Sequence, residues 1–266
     1  METKELKIAI IGAGNMGGAI ARGLSRGTLV ETNKIFVSDV SDKNLNELKV
    51  FSPEISISKS NKEIIEDAAI IILAVKPWLI ETVAKEIANK IEYKKQIIVS
   101  IAAGVNFEKL ADFFDTDASM FRVIPNTAID VLQSVSTISS FNATKEQENL
   151  ILSLFGELGK VFLVPETQLN AFMSLSSSGI AYAFRYIRAA VEGGVEMGIY
   201  PNVAKEVVIQ TLRGAIELLE ANDSHPEVEI DKVTTPGGIT IKGLNEMEAN
   251  GFTNAVIKGL KASHLK

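Results

Sequence analysis

The chain has 266 residues, of which 46% are hydrophobic and 23% charged, and its formal net charge is −6. That acidic balance argues against a nucleic-acid binder, which shows a basic patch. With no cysteine and only two histidines, His225 and His264, disulfides, thiolate catalysis and cysteine metal sites are excluded, and a histidine-rich metal centre or a serine–histidine triad is a poor hypothesis.

The opening METKELKIAIIGAG lacks the layout of a signal peptide. The longest apolar runs, such as AAIIILAV (68–75), are far too short to span a bilayer. A cytoplasmic protein with no membrane or nucleic-acid partner is the expectation. LKIAII (6–11) is an apolar run ending at glycines and predicts a buried parallel strand. A helix is expected over 15–27, then strands at KIFVSD (34–39), ISISK (55–59) and AAIIILAV. WLIETVAKEIANKI (78–91) is an amphipathic helix, and QIIVSIAAG (96–104) another buried strand. A short helix at FEKLADFF (107–114) precedes strands at SMFRVIP (119–125) and SVSTISS (134–140). A Thr-capped helix over 144–159 and the strand KVFLV (160–164) close the series. Strands alternating with helices predict a doubly wound α/β domain.

The pattern changes at Pro165. Beyond it no convincing strand is found, and long helices are expected over 165–198, with an interruption at a serine–glycine patch, and over 201–222, 235–251 and 252–264. The fold class is therefore α/β, with a Rossmann-type domain over 1–164 and an all-helical domain over 165–266. About a hundred helical residues make a small core. The first long helix is apolar over a wide arc, which predicts that two copies dimerise through this domain.

GAGNMG (12–17) fits G-x-G-x-x-G with a strand before it and a helix after it, the context that dinucleotide binding requires. Gly12 allows the tight turn, Gly14 lets a pyrophosphate approach the backbone, and Gly17 lets helix and strand pack closely. Asp39, at the end of the second strand, can bind both hydroxyls of an adenosine ribose and would repel a 2′-phosphate. No arginine follows it, so NADH is favoured over NADPH. The alternative is that Asp39 only caps the helix of SDKNLNEL.

DKVTTPGGITIKGL (231–244) sets two glycines where a helix begins. Thr235 is expected as the N-cap and Pro236 at the first helical position. Gly237 and Gly238 would then lie in the first turn, their bare amides forming an anion site at the positive end of the helix. The alternative is that PGG is a tight turn.

Taken together, IGAGNMGGAI (11–20), LAVKP (73–77), VSIAAGV (99–105), RVIPNTA (122–128) and the tail from LSSSGIAYAF to DKVTTPGGITIKGL give a chain that resembles the pyrroline-5-carboxylate reductase family over nearly its whole length. The resemblance implies a Rossmann domain, a helical domain that swaps helices in a homodimer, and, in some members, five dimers in a decamer. It implies hydride transfer from NADH or NADPH to the imine carbon of 1-pyrroline-5-carboxylate, giving L-proline. It places Gly12, Gly14, Asn15, Met16 and Gly17 in the pyrophosphate loop and Asn61 near the adenosine ribose. Ala74, Val75, Lys76 and Pro77 line the cofactor cleft, with Ala102, Ala103 and Asn126 further along it. Thr235, Gly237 and Gly238 would hold the substrate carboxylate, and the Thr240 hydroxyl would hydrogen-bond to the imine nitrogen.

The chain departs from the family's usual pattern at Ser177, where glycine is usual, and at Ile180 and Ala128, where proline is usual. A different cyclic imine substrate is the alternative these raise. A β-hydroxyacid dehydrogenase needs a lysine on the long helix, and SSSGIAYAFRYIR (176–188) has none. A non-catalytic nucleotide-binding scaffold is the remaining rival, and the intact Thr240 and glycines count against it. Arg122 is expected to pair structurally, His225 to order a turn, and Trp78 to pack.

Overall fold

The computed structural model describes residues 6–264. The chain divides into two compact units, with the boundary between Ser177 and Ser178.

The first unit alternates strand and helix: β1 (Ile8–Ile11), α1 (Asn15–Leu24), β2 (Ile35–Ser38), α2 (Asp42–Phe51), β3 (Ser56–Ser58), α3 (Asn61–Ile65), β4 (Ile70–Leu73), α4 (Ile80–Ile87), β5 (Ile97–Ser100), α5 (Phe107–Ala111) and β6 (Ser119–Ile124). It continues with β7 (Ser134–Phe141), α6 (Lys145–Gly156), β8 (Gly159–Leu163) and α7 (Leu169–Met173). The eight strands form one sheet in the order β3-β2-β1-β4-β5-β6-β7-β8. Every neighbouring pair is parallel except β6 with β7.

The isoleucine-rich runs of β1, β4 and β5 are buried throughout because both faces of the sheet are covered. The two-residue alternation of a strand splits them between two cores. Ile8, Ile10, Ile70, Ile72, Ile97 and Val99 pack with α1, α2 and α6 through Ile20, Leu24, Leu48, Leu154 and Phe155. Ala9, Ile11, Ile71, Leu73 and Ile98 pack with α3, α4 and α5 through Ile65, Ile80, Ile87 and Leu110. The chain runs outward one way from β1 through β2 to β3, then returns to the other side of β1 with β4. The loops after β1 and β4 therefore diverge and open a crevice at the carboxyl ends of the strands, where such sheets bind ligands.

All eight expected strands are present; the first six are shorter than expected, β7 runs one residue further, to Phe141, and β8 lies one residue earlier, over Gly159–Leu163. Helices α2 and α3 join those expected. Thr144 caps α6 in a reciprocal box with Gln147, through the Gln147 N–H to Thr144 Oγ1 at 3.2 Å and the Thr144 N–H to Gln147 Oε1 at 2.9 Å. The long segment after Pro165 stays helical, but its serines form a wider π-type turn, Ser174–Ser178, instead of a plain α-helix. The compactness boundary falls beyond the change of sequence pattern at Pro165 because α7 packs on β7.

The second unit is all helical: α8 (Gly179–Glu196), α9 (Pro201–Asn222), α10 (Pro226–Val233), α11 (Ile239–Ala249) and α12 (Phe252–Ala262). Helices α8 and α9 pack together where Gly194 faces Ala204, so closely that a Cβ on Gly194 would lie 3.1 Å from that of Ala204. The Tyr182 hydroxyl donates to Gly259 O at 3.2 Å, joining α8 to α12. Val191, Gly194 and Ala204 are the only buried residues among those described in this unit. Phe184, Tyr200, Met197, Val207, Ile216 and Ile257 are all more than half exposed.

Helix α10 begins at the turn that His225 was expected to order, and it is mostly exposed. His225 is its N-cap, its Nδ1 accepting the Glu227 N–H at 3.3 Å, and Pro226 takes the first position. Glu229 gathers this region: it accepts from Ser224 Oγ at 2.5 Å, Lys232 Nζ at 2.7 Å and Asn222 Nδ2 at 3.1 Å. The Lys232 and Ser224 bonds hold its carboxyl below the usual carboxylate range.

Candidate active site

The glycine loop needs each of its glycines for a different physical reason. Gly12 has φ +106°, which side chains rarely adopt, and a Cβ there would lie 2.7 Å from Ala74 O. Its N–H donates to Ser38 O at 2.7 Å, joining the loop to β2. A Cβ on Gly17 would fall 1.9 Å from Gly12 O and 2.8 Å from the Ala74 Cβ, so helix α1 and the loop after β4 meet without a side chain between them. Gly14 is different. Its φ of −66° and ψ of −168° suit any residue, and a Cβ there would meet nothing within 4 Å. It is the N-cap of α1 and supplies no side-chain cap, and no carboxylate lies in the first turn. The leading amides of α1, at Asn15, Met16 and Gly17, therefore lack helical acceptors, beside the open space at Gly14. This is the arrangement that binds phosphate groups.

Asp39 follows β2 and ties two elements together. Its Oδ2 accepts the Ala13 N–H of the glycine loop at 2.6 Å, and its Oδ1 accepts the Ser41 N–H at 2.8 Å. The cap of α2 is Ser41, whose hydroxyl oxygen accepts from Asn44 N. Asp39 is thus not the helix cap that the sequence offered as an alternative.

Asn61 opens α3 beyond β3. Its Oδ1 accepts the Ser38 hydroxyl at 2.7 Å, and its Nδ2 donates to Glu86 Oε2 on α4 at 2.9 Å. Glu86 did not emerge from the sequence, because nothing in a run of surface-like residues on a helix marks one as an anchor. After β4, the Ala74 N–H donates to Ile11 O at 2.8 Å, and Pro77 opens a tight 3₁₀ turn. Lys76 is exposed. Trp78, expected to pack, is 74% exposed.

After β5, Ala102 is buried with its N–H 3.4 Å from Ser100 Oγ, and Ala103 is exposed. After β6, Asn126 is 5% exposed. Its Oδ1 accepts the Ala128 N–H at 3.1 Å, its own N–H donates to Ser134 Oγ at 3.2 Å, and its Nδ2 donates to Ser176 O at 3.4 Å. Arg122, buried in β6, pairs with Glu166 at 2.7 Å, and the same Glu166 oxygen accepts the Phe107 N–H. That is the structural pairing expected of it.

The expected residues of the first unit therefore stand together along the carboxyl ends of six consecutive strands in the sheet, from Asn61 beyond β3 to Asn126 beyond β6. A cavity of about 370 Å³, lined in part by Leu6, Leu29, Ala69, Ile97 and Leu150, lies near the amino ends instead, away from all of them.

In the helical unit, Thr235 is not a helix cap, and Gly237 and Gly238 do not lie in a first helical turn. Thr235 to Gly238 form a tight turn closed by the Gly238 N–H on Thr235 O at 2.9 Å. Pro236 takes its second position and Gly237 its third, at φ +70°, the pattern of a type II turn. Helix α11 starts only at Ile239, with Gly238 as a cap that has no side chain. The turn wins because a glycine with positive φ ends a helix more readily than it begins one. The Gly238 amide is committed to the turn. The open amides are those leading α11, at Ile239, Thr240 and Ile241. Thr235 remains beside them: a Cβ on Gly238 would fall 2.5 Å from its Oγ1.

Among the described residues, no helix is long and apolar enough to cross a membrane. The family model for pyrroline-5-carboxylate reductase dimerisation matches residues 166–266. That for NADP oxidoreductase, coenzyme F420-dependent, matches residues 7–104. The pyrroline-5-carboxylate reductase of Arabidopsis thaliana is 34% identical over 98% of this chain and 95% of its own length. Pyrroline-5-carboxylate reductase 1 of Dictyostelium discoideum is 33% identical over 96% of this chain, which spans only 48% of that longer protein. The crystal structure of the Plasmodium falciparum pyrroline carboxylate reductase, with NADP bound, superposes with a TM-score of 0.89 at 25% identity, covering 98% of this chain and 96% of that one. A doubly wound sheet with its glycine loop at the switch point, a helical second unit and relatives alike over nearly the whole of this chain agree, and the chain belongs to the pyrroline-5-carboxylate reductase family.

Proposed function

We infer that the chain reduces 1-pyrroline-5-carboxylate to L-proline with a nicotinamide nucleotide, as the last step in making that amino acid. The observation that carries this is the uncapped start of α1 beneath the open Gly14, on a chain similar end to end to reductases of that name.

The residues present suit the cofactor. The amides of Asn15, Met16 and Gly17 would hold its pyrophosphate, with Gly14 leaving the space. Asp39, Asn61 and the loops at Ala74–Pro77, Ala102–Ala103 and Asn126 would line the rest of the crevice. When bound, the reduced nicotinamide supplies a hydride. The Thr235 hydroxyl, the Gly237 backbone and the leading amides of α11 would hold the substrate carboxylate. Thr240, at the second position of that helix, would hydrogen-bond to the imine nitrogen and relay a proton to it from water. A hydroxyl is a weak acid, so the main effect is orientation of the imine. Helices with so few buried residues and so much exposed apolar surface call for a partner, and a second copy of this unit is the partner we assign. Five such dimers would make the decamer. A reductase working on a reduced nicotinamide pool is assigned to the cytoplasm.

Asp39 would favour NADH, since its carboxylate repels a 2′-phosphate. Asp39→Ser is expected to raise the ratio of kcat/KM for NADPH over that for NADH by about tenfold, roughly 1.4 kcal/mol of lost discrimination. An unchanged ratio would confine Asp39 to holding Ala13 and Ser41. The overall reading is tested by initial rates with 1-pyrroline-5-carboxylate and each cofactor in turn. Turnover with either supports it. Cofactor binding without turnover would point to another cyclic imine or to a scaffold.

A further inference from the structure

The π-type turn Ser174–Ser178 spends its hydroxyls unequally. Ser174 and Ser176 bond back within their own helical segment, to Asn170 O at 3.0 Å and Phe172 O at 2.8 Å. Such bonds stay local. Ser177 does something else. Its hydroxyl leaves the helix and donates to Pro125 O at 2.9 Å. The next residue along, Asn126, returns the contact through Nδ2 on Ser176 O. Two opposed hydrogen bonds thus fasten the π turn to the end of β6. Both Pro125 and Asn126 are buried, so the Pro125 carbonyl has no ready access to water in place of the serine. π-type turns recur at functional sites because the extra residue re-aims the side chains on one face.

We propose that Ser177 is a positioning residue of the reductase. It sets the place of the Pro125–Asn126 loop, and through that loop the nicotinamide end of the cofactor crevice. The inference rests on the reading that this crevice holds the cofactor. Asn126 is otherwise held by residues that follow it in the chain, through Ala128 N, Ile129 N and Ser134 Oγ. Ser176 O holds Asn126 from the π turn, and the Ser177 hydroxyl holds the Pro125 carbonyl just before it. A glycine at this position would have no hydroxyl with which to make the bond. Ser177 also stands at the last position of the sheet unit, so its bond is made where the chain passes into the helical unit.

The test compares Ser177→Ala, Ser177→Gly and Ser177→Thr with the parent enzyme, by steady-state kinetics with NADH and 1-pyrroline-5-carboxylate and by melting temperature. One lost hydrogen bond sets the scale: alanine and glycine are expected to raise the KM for NADH about fivefold with kcat little changed. Threonine, which keeps the hydroxyl, is expected to restore the parent value. A lower melting temperature with KM unmoved would reduce Ser177 to a structural tie. Equal effects of all three replacements would show that bulk, not the hydroxyl, matters, and would also overturn the proposal. Absence of turnover in the parent enzyme would instead bring down the functional reading beneath it.

Discussion

Thr240→Ala is expected to lower kcat by roughly two orders of magnitude, the size of effect a positioned proton-transfer group produces. Cofactor affinity should not move. The structure makes this a clean experiment. Thr240 is exposed at the second position of α11, and alanine is the better helix former, so loss of stability cannot account for lost turnover. Its place on the helix is the reason for the large effect. The leading amides of α11 would hold the carboxylate, and the hydroxyl of the same turn would reach the imine nitrogen of the same small ring. Without the hydroxyl the ring stays bound but is free to rotate. Rates that match the parent enzyme would remove Thr240 from the mechanism and leave the α11 amides as a binding site only.

Gly14→Ala is the second large effect expected, and it separates binding from folding. Gly14 has a backbone conformation open to alanine and empty space where the Cβ would go, so the melting temperature should hardly change. The pyrophosphate would need that same space. A methyl group there should weaken NADH binding by at least about tenfold, close to 1.4 kcal/mol, read directly by fluorescence titration. Gly17→Ala offers the contrast. Its Cβ would collide with Gly12 O, so binding and stability should fall together. If Gly14→Ala binds NADH as the parent does, the pyrophosphate does not sit over this loop.

These residues differ in how visible they were in the sequence. β1, β4 and β5 could be read directly because a strand buried on both faces is an unbroken apolar run bounded by glycine or proline. The loop glycines could be read because a strand before and a helix after leave few other folds. The residues that fix the site were less visible. Glu86 and Ser177 act through bonds to positions far away in the chain, Asn61 and Pro125, and no local pattern encodes such a pairing. The TPGG segment misled for a local reason. Proline suits both the first turn of a helix and the second position of a type II turn, and the choice rests on the φ of Gly237. Helix α10 was hidden by its charges, since Glu227, Glu229, Asp231 and Lys232 read as a solvated stretch whether or not it is helical.

The three residues found buried among those described in the helical unit, Val191, Gly194 and Ala204, have a thermodynamic meaning. Under the proposal that a second copy covers this unit, a module with so little interior would not fold first and assemble afterwards, because most of the surface it must hide would belong to that contact. Folding and association then become one equilibrium, and the law of mass action enters the stability of the enzyme itself. The temperature of half-unfolding should climb as the protein is concentrated, and a single melting temperature will describe the reductase only at a stated concentration.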